Sequence, residues 1–138
     1  MRWPPTPKYS ALVTCPTTAT HDEREETELD VGQGRIAQVS VTWTPGSQWL
    51  NCLIIKYEGA QIIPSEGGGQ CRGDGYPDTW PENIVLDKPH PKLTLEVWNE
   101  GNDYEHDVLV DIVTLPVEPD ALRPIRDLVA LLRRLIGV

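Results

Sequence analysis

The sequence predicts an all-β antiparallel sandwich of about seven strands, followed by one C-terminal amphipathic α-helix. Three observations lead there. Between Arg35 and Leu115 the apolar residues recur mostly at every second position, the period of a half-buried strand. Thirteen prolines and eleven glycines punctuate 138 residues, which favours short strands and many turns over long helices. Only the last nineteen residues, DALRPIRDLVALLRRLIGV, switch to a spacing of three and four.

The elements follow in order. Residues 1–9 carry Pro4, Pro5 and Pro7 and read as an extended arm. Residues 10–115 form the sandwich domain, with Ser10 to Thr14 as a first short strand. Thr17 to Glu28 is polar and acidic and is expected to be a loop. Ala37, Val39, Val41 and Trp43 alternate with Gln38, Ser40 and Thr42, so the apolar set shares one face. Thr44 to Ser47 is a turn, and Leu50 to Tyr57 is an apolar run suited to a strand covered on both faces. Glu58-Gly59 turns the chain into Ala60 to Ile63. Pro64 to Pro81 is expected to be one long loop, rich in Gly and Pro. Asn83 to Leu86, Leu93 to Trp98 and Val108 to Leu115 complete the strands, with a hairpin loop expected at Asn99 to Asp103.

Residues 116–119 hold Pro116 and Pro119 and read as a stiff linker to the helix of 120–138. Asp120 suits an N-cap, Pro124 lies in the first turn, and Arg133 and Arg134 suit the negative end of the helix dipole. Leu122, Ile125, Leu128, Val129, Leu132, Leu135 and Ile136 share one apolar face. Residues 122, 125, 129, 132 and 136 step by 3, 4, 3 and 4, as a short coiled-coil seam does. A helix this short needs a covering surface in water. That surface is its own domain, a copy of itself or neighbouring subunit, or a membrane surface.

Charge narrows the partners. The tail is +2 and the whole chain −9, so the remaining residues carry −11. A body that acidic repels phosphate backbones, which argues against nucleic acid. No segment is long and apolar enough to span a bilayer. Leu12 to Cys15 matches a lipoprotein cleavage box in part, but Thr14 stands where a smaller residue is usual and no hydrophobic segment precedes it. The expectation is synthesis in the cytoplasm without a signal peptide. Three cysteines, an odd number, do not make a disulfide framework, although Cys52 and Cys71 could pair.

Candidate chemistry is sparse. Arg72-Gly73-Asp74 resembles an integrin-binding tripeptide, but Gly-Asp is ordinary turn chemistry. Asp74, Asp78 and Glu82 could gather at a calcium ion, yet their spacing fits no calcium loop. His21, His90 and Glu105-His106-Asp107 lack metal-ligand spacing. No nucleophile elbow or phosphate loop is present, so the chain reads as a non-enzyme with no cofactor and no metal. Trp49, Trp80 and Trp98 remain. By parity Trp98 falls on the polar side of its strand, where either a partner or a part of the same chain must cover it.

The run RIAQVSVTWTPGSQWLNCLIIKYEG resembles the strand–turn–strand segment of fibronectin type III and related immunoglobulin-like modules. In these a Trp closes one strand and a Tyr lies near the end of the next; Trp43 and Tyr57 would take those places. LTLEVWNEGNDYEHDVLVDIV resembles their last two strands. The resemblance covers residues 35–115. It implies an immunoglobulin-like β-sandwich of the kind found in surface proteins and in the decorating or fibre proteins of phage virions.

The functional expectation is an assembly protein: a virion component, capsid-decorating or head-associated, attached through its N-terminal arm and C-terminal helix. Its partner-binding residues would be Leu122, Ile125, Leu128, Val129, Leu132, Leu135, Ile136, Trp98 and Trp3. Its partners would be copies of itself or a neighbouring subunit such as a capsid protein. The competing expectation is a module whose 64–81 loop and exposed tryptophans bind a glycan or a protein ligand.

Overall fold

The computed structural model describes residues 7–66, 68–117 and 123–136, with side chains omitted for 123–127. Eight strands and one helix are present: β1 (Lys8–Cys15), β2 (Glu25–Asp30), β3 (Gly34–Trp43), β4 (Asn51–Tyr57), β5 (Ala60–Ile63), β6 (Pro77–Leu86), β7 (Lys92–Asn99), β8 (His106–Leu115) and α1 (Arg123–Leu135). The strands form two antiparallel four-stranded sheets: the sandwich is as the alternating pattern predicts, with eight strands in place of about seven. Their orders are β1-β8-β3-β6 and β2-β7-β4-β5.

Six of the seven strand connections pass from one sheet to the other, and only β4–β5 stays within a sheet. That is the connectivity of an eight-stranded jelly roll. The immunoglobulin plan pairs its strands in a different order. The resemblance to such modules therefore holds for two packed sheets and not for the connections. Alternation reports which face is buried and is blind to which strand lies alongside. For the same reason the expected hairpin at Asn99 to Asp103 is a crossover: β7 and β8 lie in different sheets.

The core fills the space between the sheets. Ile36, Val39, Val41 and Trp43 of β3, with Val108, Val110 and Ile112 of its sheet neighbour β8, face Leu53 and Ile55 of β4 and Leu93, Leu95 and Val97 of β7 in the other sheet. A bulge between Ile36 and Gln38 resets the parity of β3, so Ile36 is buried and Ala37 is not. β4 is buried on both faces over its first five residues, as its apolar run predicts. Its outer face carries a second small cluster of Cys52, Ile54 and Trp98.

Three boundaries differ from expectation. β1 takes in Lys8 and Tyr9, the end of the expected arm. The acidic stretch yields a strand, β2, at the sheet edge, where only Thr27 and Leu29 turn toward the core and the glutamates face water. Charge on an exposed edge also blocks pairing with other chains. The loop expected over Pro64 to Pro81 ends at Tyr76, because β6 begins at Pro77 and runs through Pro81. β6 tolerates both prolines because it is an edge strand.

Candidate functional site

Trp98 is 1% exposed, so its cover comes from the chain itself. The β1–β2 loop folds over the outer face of the second sheet. There Ala19 accepts a backbone bond from Asn99 at 3.0 Å. The Arg24 guanidinium lies 4.3 Å from the Trp98 ring centroid, and His21 meets the ring edge-on at 5.4 Å. Arg24 also bonds Glu96 at 3.1 Å, and Lys56 bonds the same carboxylate at 2.9 Å. Burial alone would raise the Glu96 carboxyl, but hydrogen bonds from Lys56 and Arg24 outweigh it and hold the group below its ordinary value. Trp98 Nε1 donates to Glu100 at 3.1 Å, and Arg72 pairs with Glu100 at 2.8 Å. Those two bonds hold the Glu100 carboxyl down as well. This outer layer is a satisfied polar network over an indole.

The helix is different. Leu128, Val129, Leu131, Leu132, Leu135 and Ile136 are all exposed, from 42% to 73%. Of the residues expected to bind a partner, five are therefore on open surface and Trp98 is under the chain's own loop. Trp3 and Leu122 lie outside the described residues, and Ile125 lies in α1 without a described side chain. Leu131 joins the apolar surface although its position is off the 3-4-3-4 seam. A further apolar pair appears on the outer face of the first sheet, where Leu12 of β1 sits directly opposite Leu109 of β8. Alternation hides this pair, because each lies on a face read as polar.

A groove opens at the sandwich edge between β6 and the loop that precedes it. Its volume is about 340 Å³, and it is lined by Trp49, Pro64, Gln70, Cys71, Arg72, Asp78 and Trp80. The loop is pinned and not slack. Cys71 exchanges two backbone bonds with Leu53, Trp43 Nε1 donates to the Cys71 carbonyl at 3.2 Å, and Trp49 N donates to the Gly73 carbonyl at 3.2 Å. The Arg72-Gly73-Asp74 tripeptide is used up in this framework. Arg72 bonds the Trp49 carbonyl and Glu100, and Asp74 accepts from the Gly46 amide at 2.7 Å. Turn chemistry accounts for it. Asp74 is thereby withdrawn from any ion site with Asp78 and Glu82, and among the described residues no three metal-ligating side chains converge.

Trp49 is 60% exposed and sits at φ 62°, next to Gln48 at φ 52°. Two consecutive non-glycine residues in the left-handed region cost about 1–2 kcal/mol each. Covering that exposed part of an indole, out of 150–250 Å², would return about 2–4 kcal/mol at 25 cal/mol per Å². Strain and exposure thus coincide at one side chain. Trp80 is half-buried and donates its Nε1 to Glu82 at 2.7 Å, so it offers the groove its ring and no donor.

No family model matches the chain, and no curated protein matches it. Among solved structures, a chain of the "Cyanophage Pam1 capsid asymmetric unit" is similar with a TM-score of 0.52 and 14% identity, over 79% of this chain and 84% of that one. The CBM36-1 domain of a multidomain xylanase from the hindgut metagenome of Trinervitermes trinervoides aligns with a TM-score of 0.45 and 10% identity, over 78% and 99%. At 14% identity the likeness to the cyanophage chain is one of fold, a β-sandwich.

Proposed function

We propose that this protein is a non-enzymatic assembly component of a virion or another extracellular particle, decorating a capsid or associated with a head. The observation that carries the reading is the helix. Six large apolar side chains between Leu128 and Ile136 stand exposed, and a thirteen-residue helix does not persist alone in water. Covering them is worth on the order of several kcal/mol. The jelly-roll connectivity and the fold shared with a cyanophage capsid chain agree with that role without deciding it. Leu12 and Leu109 add a second contact area on the first sheet, while residues 1–6 of the expected arm lie outside the described residues.

The partner surface is another copy of the chain, or a neighbouring subunit such as a capsid protein. The self-association form is tested by light scattering on the full chain, on a chain ending at Leu115, and on Leu128→Asp/Leu132→Asp. The full chain is expected to exceed monomer mass. Both variants should be monomers with an unchanged β-sheet spectrum. A monomeric full chain, or assembly that survives in both variants, rules out self-association through the helix.

A further inference from the structure

We infer that the Trp49–Trp80 groove is a binding site for a neutral saccharide, independent of the assembly role. The groove offers two indole rings and few polar groups, in a volume at the small end of the roughly 300–1,000 Å³ typical of ligand sites. The electrostatics select the ligand. The charge of Arg72 is matched by Glu100 at 2.8 Å, and its other nitrogen is held by the Trp49 carbonyl. Glu82 is engaged by Trp80. Asp78 is exposed on the groove wall, and its carboxylate has no hydrogen-bond or ion-pair partner among the described residues. An anion would meet an unopposed carboxylate and no unpaired cation.

A pyranose ring matches what is left. Its C–H face lies flat on an indole, and its hydroxyls donate to a carboxylate and use the remaining donor and lone pair of Gln70, whose Nε2 donates to the Gly68 carbonyl and whose Oε1 accepts from Arg72. The Trp49 backbone is held on both sides, by Gly73 through its N–H and by Arg72 through its carbonyl, so the main chain that carries the indole is fixed before a ligand arrives. A small cation would also suit an indole and a carboxylate. In so open a groove, though, such a contact is weakly held and screened by salt.

The test uses the full chain and four hexasaccharides: β-1,4-glucose, β-1,4-xylose, α-1,4-glucose and β-1,3-glucose. Tryptophan emission is titrated with each at low and high salt. At least one is expected to give a saturable shift that persists at high salt. Trp49→Ala and Asp78→Asn should each weaken it by about tenfold or more, equivalent to 1.4 kcal/mol. Asp78→Asn removes no side-chain bond among the described residues, so an unchanged urea-unfolding midpoint is expected and separates lost binding from lost folding, and light scattering should show unchanged mass in both. No shift with any of the four, or a shift that survives both substitutions, overturns the proposal. Binding of tetramethylammonium that vanishes at high salt, with no saccharide bound, overturns it in favour of a cation site.

Discussion

Replacing Glu96 with Gln tests the outer layer of the second sheet. Glu96 is 4% exposed and takes one bond from Arg24 and one from Lys56. Glutamine keeps the shape but removes the charge, leaving two cations facing a neutral amide. A hydrogen bond to a charged group contributes about 1.5–3 kcal/mol. Breaking a fully buried pair costs about 3–5 kcal/mol. Here the Arg24 side chain is 20% exposed and the Lys56 side chain 33%, so both regain some water. The expected loss is therefore about 2–3 kcal/mol at neutral pH, between those limits. In urea this lowers the unfolding midpoint by about 1–2 M at the slope usual for a domain of this size. The pH dependence carries the sign. The Glu96 carboxyl sits below its ordinary value in the folded state, so its contribution is complete above the unfolded value of about 4.3 and is lost as pH falls through the folded value. The gap between native chain and variant should close in acid. A gap under about 0.5 kcal/mol at pH 7, the size of an ordinary surface substitution, refutes the argument. So does a gap that stays constant into acid.

Two further outcomes follow from the same packing. Trp98→Ala should cost about 3–5 kcal/mol, read by urea unfolding, because it empties a buried site and uncovers Arg24 and His21; a loss under 1 kcal/mol, smaller than a typical point substitution, would mean the loop re-covers the sheet without it. Burial pushes the Cys52 and Cys71 thiols up to about 12. Neither should react with an aromatic disulfide reagent at pH 8 until urea unfolds the chain, and fast reaction of either in the native protein contradicts their burial.

The candidate surfaces were unequally legible. The helix stripe is readable because a period of three and four survives in any environment. Trp98 was placed on the outer face by parity, and its cover was not visible: Arg24 and His21 stand more than seventy residues away and lie in a stretch that reads as loop. The groove likewise joins Trp49 of one loop to Trp80 of β6, residues that no spacing connects. Leu12 and Leu109 become a pair only through the register of β1 on β8.

Local side-chain chemistry was enough to determine the two-layer β class, the doubly buried β4 and the amphipathic tail, since each depends on a residue and its near neighbours. Strand partners, the bulge at Ile36, the acidic edge strand β2 and the jelly-roll order were decided only in three dimensions. An edge strand has one neighbour and one wet face, so little apolar pattern is required of it. Strand order depends on crossings between sheets, and the energy of those crossings is spread over loops whose residues carry no period.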